Sequence, residues 1–331
     1  MIHAGLRDVT PERIFPEVLI LASRYDLACD YVVSRLRARG QSYLRLNSED
    51  LAQWSLTLDP ARVRLEGRCP MLSFSIGDED LRGIWFRRPV FLRECGSTPR
   101  SAQDQFSRAQ WASFVRSCMM FEGCRWMNHP TCTFRAENKA VQLTTAAKIG
   151  LKIPATAITN SADALESVSA GAKEVAVKGL DTVILREDDF ETFGYTSLVP
   201  IDEVLSSELT ATPLIIQQAL TNKLDLRVTV VDQEVFCASI TEDGKWINGD
   251  WRLRKGKVSF KAFDLPAAIS SMCVDLTQRL GLSFGAIDLA LRESDYYFLE
   301  VNPTGEWAWL VRDVGFEIDD AIARYLIWQT K

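Results

Sequence analysis

A chain of 331 residues, 47% hydrophobic and 25% charged, has the composition of a globular protein and more length than one core usually serves, so two or three lobes are expected. Its net charge of −6 argues against broad, sequence-independent binding to nucleic acid, which calls for a basic face. Eight scattered cysteines without a C-x-x-C pair read as reduced thiols, His3 and His129 lie too far apart for a metal set, and no apolar run or N-terminal pattern suggests a membrane span or a signal peptide. The expected setting is cytoplasmic.

From residue 16 to 47 the rhythm is strand, helix, strand: "VLILA" is a short apolar run, Leu27, Tyr31, Val32 and Leu36 recur at helical spacing, Gly40 closes the helix, and "SYLRLN" alternates. That is a βαβ unit, and its first loop, "SRYD", lacks the glycine pattern of a dinucleotide site. "LRGIWFRRPVFL" (81–92) predicts a strand containing Arg87 and Arg88, and 101–122 an amphipathic helix. "NHP" at 128–130 marks a lobe boundary. One helix is expected over 136–150, another near 161–171, and then the strands "EVAVKGL" and "LIIQQAL". The hairpin "DLRVTVVDQEVFCASI" and the helix "AAISSMCVDLTQRLG" precede a second hairpin, "GAIDLAL" with "YYFLEVN".

The second hairpin poses a problem of charge. Counted outward from Ser294, Asp288 falls opposite Glu300, and alternation puts Asn302 on the same face. Like charges directly opposed destabilise a sheet unless something intervenes. A solvated hairpin face or pairing with arginines is the plain solution; the other is Mg²⁺, which takes oxygen ligands together with substrate phosphates. Lys178 stands in an otherwise apolar strand, Lys139 at a helix start, and Arg227 interrupts "DLRVTVV". Each alone reads as a surface or snorkelling side chain; three cations beside a carboxylate–amide cluster describe a nucleoside triphosphate with its metal.

With "IWFRRP", "WMNHPTCTFRAENKAVQLTTAAKIGLKIPATAITN", "VAVKGL", "YTSLV", "IIQQALTNKLDLRVTVV", "DWR" and "LGLSFGAIDLAL…YYFLEVNPTGEWAWL" in this order, the chain resembles the ATP-grasp superfamily of carboxylate–amine ligases. More narrowly it resembles the graspetide ligases, which install side-chain lactones and lactams in ribosomal peptides such as the microviridins. The resemblance implies an α/β N-terminal pre-ATP-grasp lobe (1–127) and an α+β ATP-grasp fold whose two lobes (128–214 and 215–331) sandwich ATP. It gives Lys139 and Lys178 to the ATP phosphates. Gln217, Gln218 and the backbone of Leu220 go to adenine, and Asp225 joins the cofactor-binding set. Lys178 and Arg227 are the catalytic cations, and Asp288, Glu300 and Asn302 hold Mg²⁺. Substrate contacts fall to Arg87, Arg88, Arg252, Glu306 and Trp307. For Arg87 and Arg88 an ion-pair anchor within the first lobe is the alternative, and for Trp307 a core position. The family commonly has an acid and an aromatic at Gln218 and Ala219, and glutamine at Glu306.

The implied chemistry is ATP-dependent phosphorylation of Asp or Glu side chains in a precursor peptide with leader and core, followed by condensation with Ser, Thr or Lys. A homodimer is implied by the family alone, with no nucleic-acid or membrane partner. The rival readings are a ligase joining an amino acid to a small molecule or protein terminus, and a nucleotide-binding module without catalysis.

Overall fold

The computed structural model describes residues 11–87, 101–169, 171–181, 184–187, 190–193, 195–206, 211–254 and 256–327, with 184–187, 190–193 and 206 by backbone alone. Two compact units result: one runs up to Pro130 and takes in the chain from Asp319 onward, and the other is Thr131–Ile318.

The first unit contains β1 (Glu12–Ile14), β2 (Val18–Ala22), α1 (Leu27–Ala38), β3 (Tyr43–Asn47), β4 (Ser55–Asp59), β5 (Arg64–Arg68), β6 (Leu72–Gly77), β7 (Gly83–Phe86), α2 (Ala102–Ser117) and β8 (Arg125–Met127). The βαβ unit is present as read: β2 and β3 pair in parallel, and β7 and β8 extend the sheet in the order β3-β2-β7-β8. "VLILA" is buried throughout because this sheet is covered on both faces. A second sheet has the order β1-β6-β5-β4. Helix α2 stops at Ser117, earlier than its apolar pattern suggests, and a 3₁₀ turn at Cys118–Met120 continues the chain. Arg88 and the residues after it up to 100 lie outside the described residues.

The second unit begins with α3 (Pro130–Glu137) and α4 (Lys139–Lys148). One continuous helix was expected here. Asn138 instead takes extended backbone, and its side-chain oxygen accepts the Val141 N–H at 3.1 Å, so it caps a new helix whose first residue is Lys139. β9 (Thr156–Thr159), α5 (Leu165–Ser169), β10 (Glu174–Lys178), a ribbon of β11 (Ile184–Glu187) and β12 (Phe190–Phe193), β13 (Ser197–Pro200), α6 (Ile201–Ser206) and β14 (Leu214–Gln218) follow. They give an antiparallel sheet of order β13-β10-β14-β9. β14, placed by the sequence at the start of a C-terminal lobe from 215, therefore belongs to this smaller sheet.

The larger sheet has the order β17-β16-β15-β18-β19, from β15 (Leu224–Val231), β16 (Glu234–Glu242), β17 (Val258–Ala262), β18 (Phe284–Arg292) and β19 (Asp295–Asn302), with α7 (Ala267–Arg279) between β17 and β18 and α8 (Ala308–Val314) after it. One face of this sheet packs on α4 and α7: Leu226, Val228, Ile287, Leu289, Phe298 and Val301 share a core with Leu143, Ala146, Cys273 and Leu276. Alternation sends Asp225, Arg227 and Asp288 to the other face.

The last helix, α9 (Ile318–Ile327), is bound to the first unit by ion pairs from Arg35 to Asp319 (2.7 Å) and Arg39 to Asp320 (2.5 Å). A Cβ on Gly83 would sit 2.5 Å from the Leu326 carbonyl oxygen, backbone that cannot yield cheaply. Gly83→Ala is therefore expected to destabilise the protein by about 1–3 kcal/mol, the usual cost of overpacking, measurable as a lower denaturation midpoint. An unchanged midpoint would mean that the helix does not dock this closely.

Candidate active site

An open cleft of about 660 Å³ lies between the four-stranded and five-stranded sheets of the second unit. Its walls are apolar near Pro154, Ala176, Leu198, Leu220, Leu226 and Leu299, and charged near Lys178, Arg252, Asp288 and Glu300. A cleft with apolar walls and a cluster of charges suits a base and phosphates.

The carboxylates reach the cleft through a defect in β19. Pairs near the turn run from Arg292↔Asp295 to Leu289↔Phe298, and then the register shifts so that Asp288 faces Glu300 and Ala286 faces Asn302. Leu299 is the extra residue of a bulge. Phe298 and Val301, three apart, both enter the core, while the consecutive Leu299 and Glu300 both line the cleft. Without the bulge, Glu300 would point into the apolar core. The tight turn after Asn302 is closed by Gly305, where a Cβ would approach the Ala286 Cβ to 2.4 Å.

Each buried carboxylate has cations against it. Lys139 Nζ donates to Glu300 Oε2 at 2.8 Å, Arg252 Nη1 to Glu300 Oε1 at 3.0 Å, and the Asn302 amide to Oε1 at 3.3 Å. Burial pushes the Glu300 carboxyl up, but Lys139, Arg252 and Lys178 outweigh it and hold this acid well below its usual range. Burial pulls the Lys178 ammonium below the ordinary lysine value against the attraction of Glu300. Asp288 lies across the strands from Arg227, at 3.1 Å between Oδ1 and Nε. That approach does not make a hydrogen bond: Arg227 Nε and Nη1 and Asp288 Oδ1 are buried without hydrogen-bond partners among the described residues. The Arg227 guanidinium stands over the Trp251 ring, 5.6 Å from its centroid.

These atoms test whether the site suits a metal with phosphates. A carboxylate oxygen and guanidinium nitrogens left unsatisfied in a buried cluster are a ready acceptor for a cation and ready donors for an anion. No group of three His, Cys, Asp or Glu side chains gathers into a metal cage among the described residues. Two carboxylates and an amide are instead the set expected of Mg²⁺, which binds through one or two carboxylates and leaves other positions to phosphates. The residues fit.

The other expected residues are distributed as follows. Gln217, Gln218 and Leu220 line the apolar part of the cleft, and the Gln217 amide is engaged by Thr156 Oγ1 at 2.9 Å. Asp225 also lines it, but both its oxygens accept from the buried Lys223, which the sequence reading passed over (2.6 Å to Oδ2). Asp250 was missed as well; it grips Arg252 through two bonds of 2.9 Å and so aims that guanidinium at Glu300. Arg252, expected to contact substrate, thus stands against Glu300 beside Lys139. Arg87 is 1% exposed and ion-paired to Asp26 at 3.0 Å inside the first unit, an anchoring position that leaves it no surface for acidic substrate residues. Trp307 is fully buried, a core position, with no partner for its indole N–H among the described residues. Glu306 is exposed in the loop after β19, and Arg88 lies outside the described residues. Among the described residues no cysteine lines the cleft: the described ones are free, and burial pushes Cys118, Cys124 and Cys273 up to about 12.

Residues 136–326 match the family model of the RimK-like ATP-grasp domain. Among solved structures, the chain is similar to a RiPP-associated ATP-grasp ligase of Chryseobacterium gregarium in complex with ADP and a leader and core peptide, at 25% identity and TM-score 0.81 over 94% of this chain and 96% of that one. It is similar to the macrocyclase MdnB of Microcystis aeruginosa MRC at 26% identity and TM-score 0.74, over 95% and 100%. The macrocyclase MdnC of the same organism, bound with precursor peptide MdnA, shares the fold at 22% identity and TM-score 0.79, over 94% and 99%. No curated protein matches.

Burial raises the Asp288 carboxyl to about 6, with Arg227 pulling the other way and Glu300 adding to the rise. Below that value the group holds a proton that a metal must displace; above it the carboxylate is free to ligate. Mn²⁺ affinity measured in the presence of ADP should therefore fall as pH is lowered through about 6, and Asp288→Asn should bind more weakly with a flatter pH profile. The same pH profile in both proteins would remove Asp288 from the metal set.

Proposed function

The chain belongs to the RimK-like ATP-grasp family, and on that premise we propose that it is an ADP-forming ligase that joins side chains within a ribosomally made precursor peptide. The observation that carries the reading is the buried pair Asp288–Glu300 with Arg227, Lys139, Lys178 and Arg252 around it, in a cleft that also has apolar walls. Support for a peptide substrate comes from the ligase of Chryseobacterium gregarium, bound to a leader and core peptide, and from the macrocyclase MdnB.

In this reading a substrate carboxylate attacks the γ-phosphorus of ATP and ADP leaves. The acyl phosphate so formed is then attacked by a hydroxyl or amine, phosphate departs, and an ester or amide remains. The chain's residues act on charge and position. Lys139 and Lys178 hold phosphate oxygens; Arg227, with two nitrogens unsatisfied, donates to the transferring group where charge develops. Asp250 keeps Arg252 aimed at the same region. Asp288, Glu300 and Asn302 would hold Mg²⁺, which when bound neutralises phosphate charge. The apolar walls keep water from the acyl phosphate. No cysteine nucleophile is required.

The finer parts of the reading stand on family resemblance: magnesium as the metal, a cytoplasmic setting, a homodimer, and an N-terminal lobe followed by two ATP-grasp lobes, with β14 in the first of those two rather than in the second as a boundary at 215 would have it. The separate sheets on either side of the cleft support two ATP-grasp lobes.

Incubation of the protein with ATP, Mg²⁺ and a candidate precursor peptide carrying Thr, Ser or Lys with Asp or Glu should give mass losses of about 18 Da per ring, one water for each condensation. Glu300→Gln should fold and yet lose most ATP turnover, and Arg227→Met should lose about 10²-fold or more, the usual effect of removing a donor to a charged transition state. An unmodified peptide, with ADP released only on addition of free amino acids or amines, would move the activity to small-molecule ligation.

A further inference from the structure

β19 is an edge strand of the larger sheet, so one side of its backbone has no strand to pair with. Two substitutes occupy that side. The Lys152 carbonyl accepts the Phe298 N–H at 2.8 Å, just before the bulge. Just after it, the side-chain amide of Gln142 does the work of a strand: its oxygen accepts the Val301 N–H at 3.1 Å, and its nitrogen donates to the Val301 carbonyl at 2.8 Å and to the Ala136 carbonyl at 2.6 Å. Gln142 is 1% exposed, so these bonds form away from water, and it lies one helical turn beyond Lys139 on α4.

Val301 stands between Glu300 and Asn302. Resting on the reading of that face as a metal site, we propose that Gln142 is a positioning residue, which fixes the bulged backbone of β19 so that Glu300 and Asn302 present their oxygens together. A bulge leaves its strand free to bend, and an edge strand can slip or fray; a single bond to Val301 would restrain the residue's distance but not its rotation. Two antiparallel bonds from one planar amide restrain both. The same helix start that delivers Lys139 to the Glu300 carboxylate thereby sets the height of the strand carrying that carboxylate.

Gln142→Met keeps the length and volume of the side chain and removes all three bonds. The test is Mn²⁺ binding in the presence of ADP, followed by loss of the free-ion resonance signal, at a temperature where thermal melting shows the variant folded. The expected result is at least about tenfold weaker Mn²⁺ binding, in the range seen when groups behind metal ligands are removed. In turnover, raised Mg²⁺ should restore most of the activity, with the KM for ATP little changed. A purely structural role would lower the melting temperature and leave both metal readouts as in the wild type, and that outcome would overturn the proposal. Wild-type protein that binds no Mn²⁺ with ADP would instead overturn the metal-site reading itself. Hydrogen exchange of the Val301 amide in the wild-type chain needs no variant: protection is expected, and exchange at the rate of an unpaired edge amide would contradict the clamp.

Discussion

The interaction on which the second unit turns is the repulsion between Asp288 and Glu300. Held opposite each other on adjacent strands, two carboxylates repel by on the order of 3 kcal/mol at an effective dielectric of ~20, before either is charged for leaving water. The fold answers asymmetrically. Glu300 is surrounded by Lys139, Arg252 and the field of Lys178 and stays ionised; Asp288 has Arg227 at poor hydrogen-bonding geometry and the field of Arg252, and burial outweighs both and raises it. One carboxylate is thus satisfied by the protein, and the other is kept available. A buried ion cluster of this kind contributes little net stability, since desolvation offsets attraction. It is better understood as binding capacity held in place by the hydrophobic core on the sheet's far side.

That core explains how much of the site could be read beforehand. Lys178, Arg227, Asp288 and Glu300 are legible because each breaks an apolar pattern, and a buried charge asks for a partner; Lys139, at a helix start, is legible only in their company. The pairing of Asp288 with Glu300 was expected by symmetry about Ser294, and it is observed, but by a different route. The turn is one residue tighter than that count assumes, and the bulge at Leu299 restores the lost register. The sequence signal was present in the spacing of Phe298 and Val301, whose separation by three is impossible for two core residues in a regular strand.

Other features are invisible to local pattern because they depend on distant partners. Arg87 reads equally as a substrate contact or as an ion-pair anchor, and only the fold decides by bringing Asp26, the N-cap residue of α1, against it. Lys223 looks like part of a polar turn until Asp225 and the Gly249 carbonyl enclose its ammonium. The break between α3 and α4 follows from a single capping asparagine inside a sequence whose helical periodicity does not falter. Gln142 sits at an interior helical position and shows its use only when the unpaired edge of β19 is seen beside it.

The central claim is that cations and carboxylates now paired with one another are shared out between phosphates and a metal when nucleotide binds. A crystal structure with a non-hydrolysable ATP analogue and Mg²⁺ tests it most directly. The expected result places the base against Leu220 and Gln218, phosphate oxygens on Lys139, Lys178 and Arg227, and a metal on Asp288 and Glu300, with the Lys139–Glu300 bond opened. Nucleotide bound elsewhere, or bound with both ion pairs unchanged and no metal on either carboxylate, would contradict it.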